Sequence, residues 1–213
     1  MKAILLSISC FVPVLFTNCA GTGAARSASA FPSGVVRGAD GTLYYNPNDA
    51  PQGQKNIAPP DTISYWDGGA ASGSPRIRIS LSEQTAYFYK GDSLVGKSWL
   101  STGCEGRRTP TGSFRIMQKN KWHKSSRYGA FVDAAGNVVD GDVDYKKDPV
   151  PPGLRYEGAK MTNFMRLTSD GVGMHAGFLP GYPASHGCIR MPEHMSEAFF
   201  NTVSVGTPVT IVP

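Results

Sequence analysis

Ile77-Arg78-Ile79-Ser80-Leu81-Ser82-Glu83-Gln84-Thr85-Ala86-Tyr87-Phe88-Tyr89 is the stretch that decides the fold. Ile77, Ile79 and Leu81 alternate with Arg78, Ser80 and Ser82, and a period of two puts the apolar side chains on one face of a half-buried strand. Glu83-Gln84 makes a turn, and residues 85–89 follow as a second strand rich in aromatics. Gly91-Asp92 turns the chain again before a third strand over residues 94–100. Two tight connections in a row describe a meander.

Downstream, Ser101-Thr102-Gly103 and Thr109-Pro110-Thr111-Gly112 bracket a loop before a strand at residues 114–117. Residues 119–148 read as loop-rich, with a short strand or hairpin around Ala130-Phe131-Val132 and Val138-Val139. Short strands are expected at residues 164–167 and 172–175. The clearest helix runs from Glu193 to Val203, just after Pro192, with Met195, Ala198, Phe199 and Thr202 along one side. Gly206 ends it, and residues 209–212 form a closing strand. With 25 glycines and 16 prolines in 213 residues and few helical patterns, the class is mainly β. A β-sandwich or barrel-like sheet with one or two short helices fits.

The chain divides into three parts. Residues 1–30 form a targeting leader: Lys2 supplies a positive start, and residues 3–16 make an apolar run too short to span a bilayer comfortably. Cys19, after Phe16-Thr17-Asn18, resembles a lipobox cysteine, which would carry a lipid and give a membrane anchor. Ala28-Ser29-Ala30 is an alternative small-x-small cleavage site, and either route predicts export. Residues 31–75 are Gly-, Ala-, Ser-, Pro- and Asn-rich and read as a linker whose second half lies on the domain as an extended arm. Residues 76–213 form the folded domain. The formal charge of +5 comes with no zinc-finger spacing, basic helix or RNA-binding aromatic motif, so nucleic acid is not an expected partner.

Chemistry concentrates in Ser185-His186-Gly187-Cys188-Ile189-Arg190, with His175 ten residues before Ser185. A thiol is a weak nucleophile at neutral pH until a base takes its proton, and two imidazoles stand near this one in sequence. Cys188 is therefore the candidate nucleophile and His175 the candidate base. The turn at His186-Gly187-Cys188 can aim N–H groups at an oxyanion, and Gly187 permits a positive φ there. Ser185 is placed to hydrogen-bond within the turn. Arg190 is open between a bidentate carboxylate contact and an internal salt bridge that shapes the loop. Cys104 is open between a structural thiol and a redox partner of Cys188. His123 and His194 read as solvent-side, with His123 a candidate groove residue. A metal site from His175, His186, Cys188 and His194 matches no common zinc spacing, so no metal or other cofactor is expected.

His175-Ala176-Gly177 followed by Ser185-His186-Gly187-Cys188-Ile189-Arg190-Met191 resembles the signature of the L,D-transpeptidase (YkuD-like) catalytic domain. Ser101-Thr102-Gly103, residues 109–114 and Tyr128-Gly129 after His123 and Ser125-Ser126 are similar to further segments of that family. The likeness extends over residues 76–213. Nine residues separate His175 from Ser185, a shorter loop than in well-studied members, and Arg190 stands where many of them have Asn. The resemblance implies an L,D-transpeptidase-like mixed β fold. It also implies attack by Cys188 on a peptidoglycan stem peptide, loss of D-alanine with a proton from His175, and a thioester resolved by an amine of a second stem, forming a cross-link, or by a protein lysine, attaching a protein. Thr109, Tyr128 and Arg190 become substrate-side residues on the same footing. Water in place of the amine would make the protein an L,D-carboxypeptidase or other hydrolase, and loss of activity would leave a peptidoglycan-binding module.

Overall fold

The computed structural model describes residues 60–213, together with the backbone of two short paired strands, β1 (Val35–Arg37) and β2 (Leu43–Tyr45). The leader and most of the linker lie outside the described residues. No helix among the described residues is long and apolar enough to cross a membrane.

The meander forms as read. β4 (Pro75–Ser80), β5 (Thr85–Lys90) and β6 (Ser93–Trp99) pair antiparallel in sequence, and the turn at residues 81–84 places Gln84 at φ 46°. The closing strand β13 (Pro208–Val212) lies parallel to β4, and β7 (Gly112–Arg115) pairs with β13. On the other edge, β3 (Tyr65–Trp66) adds to β6. The order in this six-stranded sheet is β3-β6-β5-β4-β13-β7.

A second sheet of five strands has the order β12-β11-β10-β8-β9. It is built on a long antiparallel ribbon, β8 (Gln118–Val132) with β10 (Arg155–Arg166), and β9 (Val138–Asp144) flanks β8. β11 (Gly173–Ala176) pairs antiparallel with β10 and parallel with β12 (Ile189–Met191). Residues 119–148, read as mostly loop, are thus mostly strand. Their outer stretch is polar on both faces because the ribbon runs past the core, and Trp122 there is 69% exposed. Alternation cannot mark a strand that has no buried side.

Between the sheets lies one apolar core. Ile77, Ile79, Phe88 and Leu100 enter from the first sheet, and Met165, Met174, Ile189 and Met191 from the second. The helix α1 (Glu193–Thr202) packs Met195 and Phe199 into this core, and Ser196 rather than Ala198 shares its buried side. Phe199, Phe88 and Trp66 stack with centroids 4.8–5.7 Å apart. Such aromatic contacts contribute about 0.5–1.5 kcal/mol each beyond area burial. Trp66 comes from the end of the linker, whose Ser64 Oγ accepts from Trp99 N–H at 2.9 Å.

Candidate active site

The site forms where the two sheets are stitched together. Ser101, just past β6, exchanges both backbone hydrogen bonds with Arg190 of β12, at 3.1 and 3.0 Å. Thr102 O accepts from the N–H groups of Ala184 and Ser185, and Cys104 N–H donates to Ser185 O at 3.1 Å. Gln84 clamps Thr102 from behind, accepting from its N–H at 2.9 Å and donating to its Oγ1 at 2.7 Å. The segment before Cys188 is therefore held by the scaffold sheet through backbone bonds.

Within the loop, Ser185 Oγ donates to Cys188 O and accepts from Gly187 N–H at 3.1 Å. Gly187 has φ 112°, a conformation that side-chain-bearing residues adopt only with strain. Thr109, expected at the substrate, is instead buried: its hydroxyl donates to Gly187 O at 2.8 Å and accepts from Gly103 N–H at 2.9 Å. It is a strut between two loops.

Cys188 is a half-buried free thiol at the entrance to β12, with Sγ 3.7 Å from Gly171 O and a hydrogen bond from the Gly173 backbone. Burial pushes its pKa up, against the pull of Gly173 N–H, Arg190 and Arg166. Cys104 is buried and disulfide-bonded, so neither the structural thiol nor a bond to the free Cys188 is what the structure holds.

The parallel pairing of β11 with β12 sets His175 beside Arg190, two positions from Cys188. His175 is 7% exposed, and its Nδ1 lies 2.8 Å from Ala176 O. A carbonyl only accepts, so Nδ1 carries the proton and Nε2 keeps a lone pair. Burial holds the imidazole pKa down at about 4, with smaller pushes from Arg190 and His123. Thiol and imidazole are thus both neutral at pH 7, and a proton must pass between them before attack.

His186 has a different setting. Its Nε2 lies 3.1 Å from Asp142 Oδ1, and its ring sits 4.3 Å from Tyr128. The Asp142 carboxylate favours the cation, but burial, joined by Arg107 and Arg190, outweighs it and lowers the pKa to about 4. A neutral ring donating Nε2–H to Asp142 satisfies both groups. Asp142 had no signal in the sequence, because it stands in the acidic run Asp140-Gly141-Asp142-Val143-Asp144 of a segment read as loop.

Arg190 is partly buried along Gly177, and burial lowers its pKa. No carboxylate among the described residues pairs with its guanidinium, so the internal salt bridge weighed for it is not formed. His123 stacks on Phe164 at 4.3 Å, and Phe164 lies 6.5 Å from His175. His194 is exposed on α1. No group of three or more metal-ligating side chains occurs among the described residues.

The L,D-transpeptidase catalytic domain (YkuD) family model matches residues 74–211. Among solved structures, an L,D-transpeptidase from Mycobacterium smegmatis superposes with a TM-score of 0.50 at 18% identity, over 66% of this chain and 59% of the other. L,D-transpeptidase 1 from Mycobacterium tuberculosis gives a TM-score of 0.47 at 22% identity, over 66% of this chain and 62% of the other. The chain thus spans about three fifths of the length of these proteins, and at such identity the likeness concerns the fold. A comparison with curated protein sequences yields no match. With the family model covering well over half of its length, the chain belongs to the L,D-transpeptidase catalytic-domain (YkuD) family.

Proposed function

We propose that the protein is an L,D-transpeptidase that acts on peptidoglycan stem peptides through a thioester on Cys188. One observation carries the reading. The free thiol opens β12 beside β11, whose His175 is fixed by Ala176 O in the tautomer that leaves Nε2 free to accept a proton.

In the first half-reaction the Cys188 S–H proton passes to His175 Nε2 and the sulfur attacks the carbonyl before the terminal D-alanine. The tetrahedral oxyanion needs N–H donors. Gly187 N–H is committed to Ser185, which leaves that task to the N–H groups of His186 and Cys188. As the C–N bond breaks, His175 returns the proton to the departing D-alanine nitrogen, and a thioester remains. An amine of a second stem then attacks, passes its proton to His175, and releases the thiol as a cross-link forms. The reading places the protein outside the cytoplasm, supported by Lys2 and the apolar run after it.

Incubation with disaccharide tetrapeptides and mass spectrometry of the products tests this. Dimers that have lost one D-alanine are expected, and Cys188→Ala abolishes them. Tripeptides without dimers would assign the thioester to water, and unchanged tetrapeptide would overturn the reading.

A further inference from the structure

We propose that Arg107 and Arg108 form an anion subsite that receives a free carboxylate of the peptide substrate beside the Cys188 loop. The inference rests on the transpeptidase reading for the identity of that peptide.

A cavity of about 440 Å³ opens against His186 and Gly187. Arg107, Arg108, Arg127 and Lys147 line it, opposed by Asp144 and Asp170, which leaves two positive charges in excess. The charges are not equivalent. Arg127 is neutralised by a bidentate pair with Asp144, at 3.0 and 2.9 Å, and Lys147 lies 4.0 Å from the same carboxylate. Arg107 and Arg108 have no carboxylate partner among the described residues. Arg107 is half-buried with its guanidinium 5.9 Å from the Tyr128 ring centre, and Arg108 is exposed. A guanidinium held part-way out of water without a counter-ion is a site prepared for a planar anion.

Both arginines are positioned by backbone. Arg107 N–H donates to Cys104 O at 3.0 Å, and the chain passes so close to Gly103 that a Cβ there would collide with Arg107 O. The Thr109 strut then ties the loop to Gly187, and a Cβ at Gly187 would stand 3.6 Å from Arg107 O and 3.9 Å from Arg108 O. A carboxylate bound here therefore lies alongside the loop that carries the nucleophile. The stem peptide offers carboxylates near its reacting carbonyl, and fixing one would orient that carbonyl.

The test measures binding by titration calorimetry to full-length Cys188→Ala protein, which cannot turn over. The ligands are a D-alanine-ended tetrapeptide with free side-chain and α-carboxylates, and the same peptide with them converted to primary amides. The free acid should bind about tenfold more tightly, the size expected for a charged hydrogen-bonded contact. Arg107→Gln/Arg108→Gln should abolish the preference, and the exposed Arg108→Gln alone should reduce it without disturbing the loop. Arg78→Gln/Lys97→Gln, which removes the same charge from the first sheet, should keep it. Equal affinities, a preference that survives the arginine double variant, or equal loss in the remote variant would overturn the proposal. D-alanine release by the wild type without a carboxylate preference refutes this subsite and leaves the transpeptidase reading; preference without release does the reverse.

Discussion

The two sheets of this domain differ in what their interiors hold. The six-stranded sheet faces the core with Ile77, Ile79, Phe88 and Ile211, and its strands pair with one register shift, between Phe88 and Tyr89. The five-stranded sheet carries three register shifts, between Gly158 and Lys160 and twice along β8–β9, and it buries His175 and the polar Asn163. Asn163 sits at φ 57°, and its Oδ1 is buried without a protein partner. Among the described residues, the first sheet buries no ionisable side chain; the second is the less regular of the two and holds His175 out of water. The lesson is a division of labour: the first sheet supplies stability and the second spends part of it on reactivity.

That contrast can be broken at its stable end. Phe199→Ala removes the ring that ties α1 to Phe88 and Trp66, and should cost about 3–5 kcal/mol in urea unfolding. The fraction that stays folded should still react with iodoacetamide at Cys188 at the native rate. A small stability loss, or a selective loss of thiol reactivity, would mean that the two sheets are not separable in this way.

At the reactive end, Gly187→Ala strains the φ of 112° while meeting no heavy atom closer than 3.6 Å. It should lower the turnover of stem peptide about 10²–10³-fold by re-aiming the loop's N–H donors, with a smaller stability cost of about 1–3 kcal/mol. Comparable effects on rate and stability would show the loop to be scaffold.

Acid should find the candidate site first, at His175 of β11 and His186 of the loop before β12. His175 and His186 both titrate near 4 in the folded chain, below the ordinary histidine value of about 6.5. The unfolded chain therefore binds more protons between those two values, and stability present above pH 6.5 is lost as pH falls towards 4. The loss is at most about 3 kcal/mol per histidine. Melting temperature followed from pH 7 to pH 4.5 should drop, and His186→Gln should flatten the curve. A profile unchanged by that variant would remove His186 from the account. Smaller still, Thr109→Val takes away a donor to Gly187 O and an acceptor for Gly103 N–H, and should cost about 1–3 kcal/mol. Its signature is a fall in kcat larger than the fall in stability.

The same contrast explains what could be read in advance. Ile77, Ile79 and Phe88 announce their strands because each has one wet and one dry face. The helix announces itself through Pro192 and Met195 with Phe199. The ribbon of β8 did not, since Lys121, Trp122 and Lys124 leave the core and follow no period. Ile189–Met191 was hidden as a strand by the turn formers before it. In the candidate site, Cys188, His175 and Gly187 stand out as candidates by residue type and spacing. Asp142 and the carbonyls of Gly171 and Ala176 were not, because their roles depend on tertiary pairing and, for the carbonyls, on backbone atoms that every residue has. Thr109 is a substrate-side residue through the resemblance alone, and its residue type does not reveal the Gly187 O and Gly103 N–H that bury it.

On the proposed mechanism, Cys188 Sγ is the atom on which the peptide is held. Intact-mass spectrometry of the wild-type protein, quenched in acid during reaction with a D-alanine-ended tetrapeptide, tests it directly. An adduct equal to the peptide less D-alanine is expected, mapped to Cys188, absent in Cys188→Ala and formed far more slowly in His175→Ala. D-alanine released by Cys188→Ala at the wild-type rate, or an adduct mapped to another residue, would contradict it.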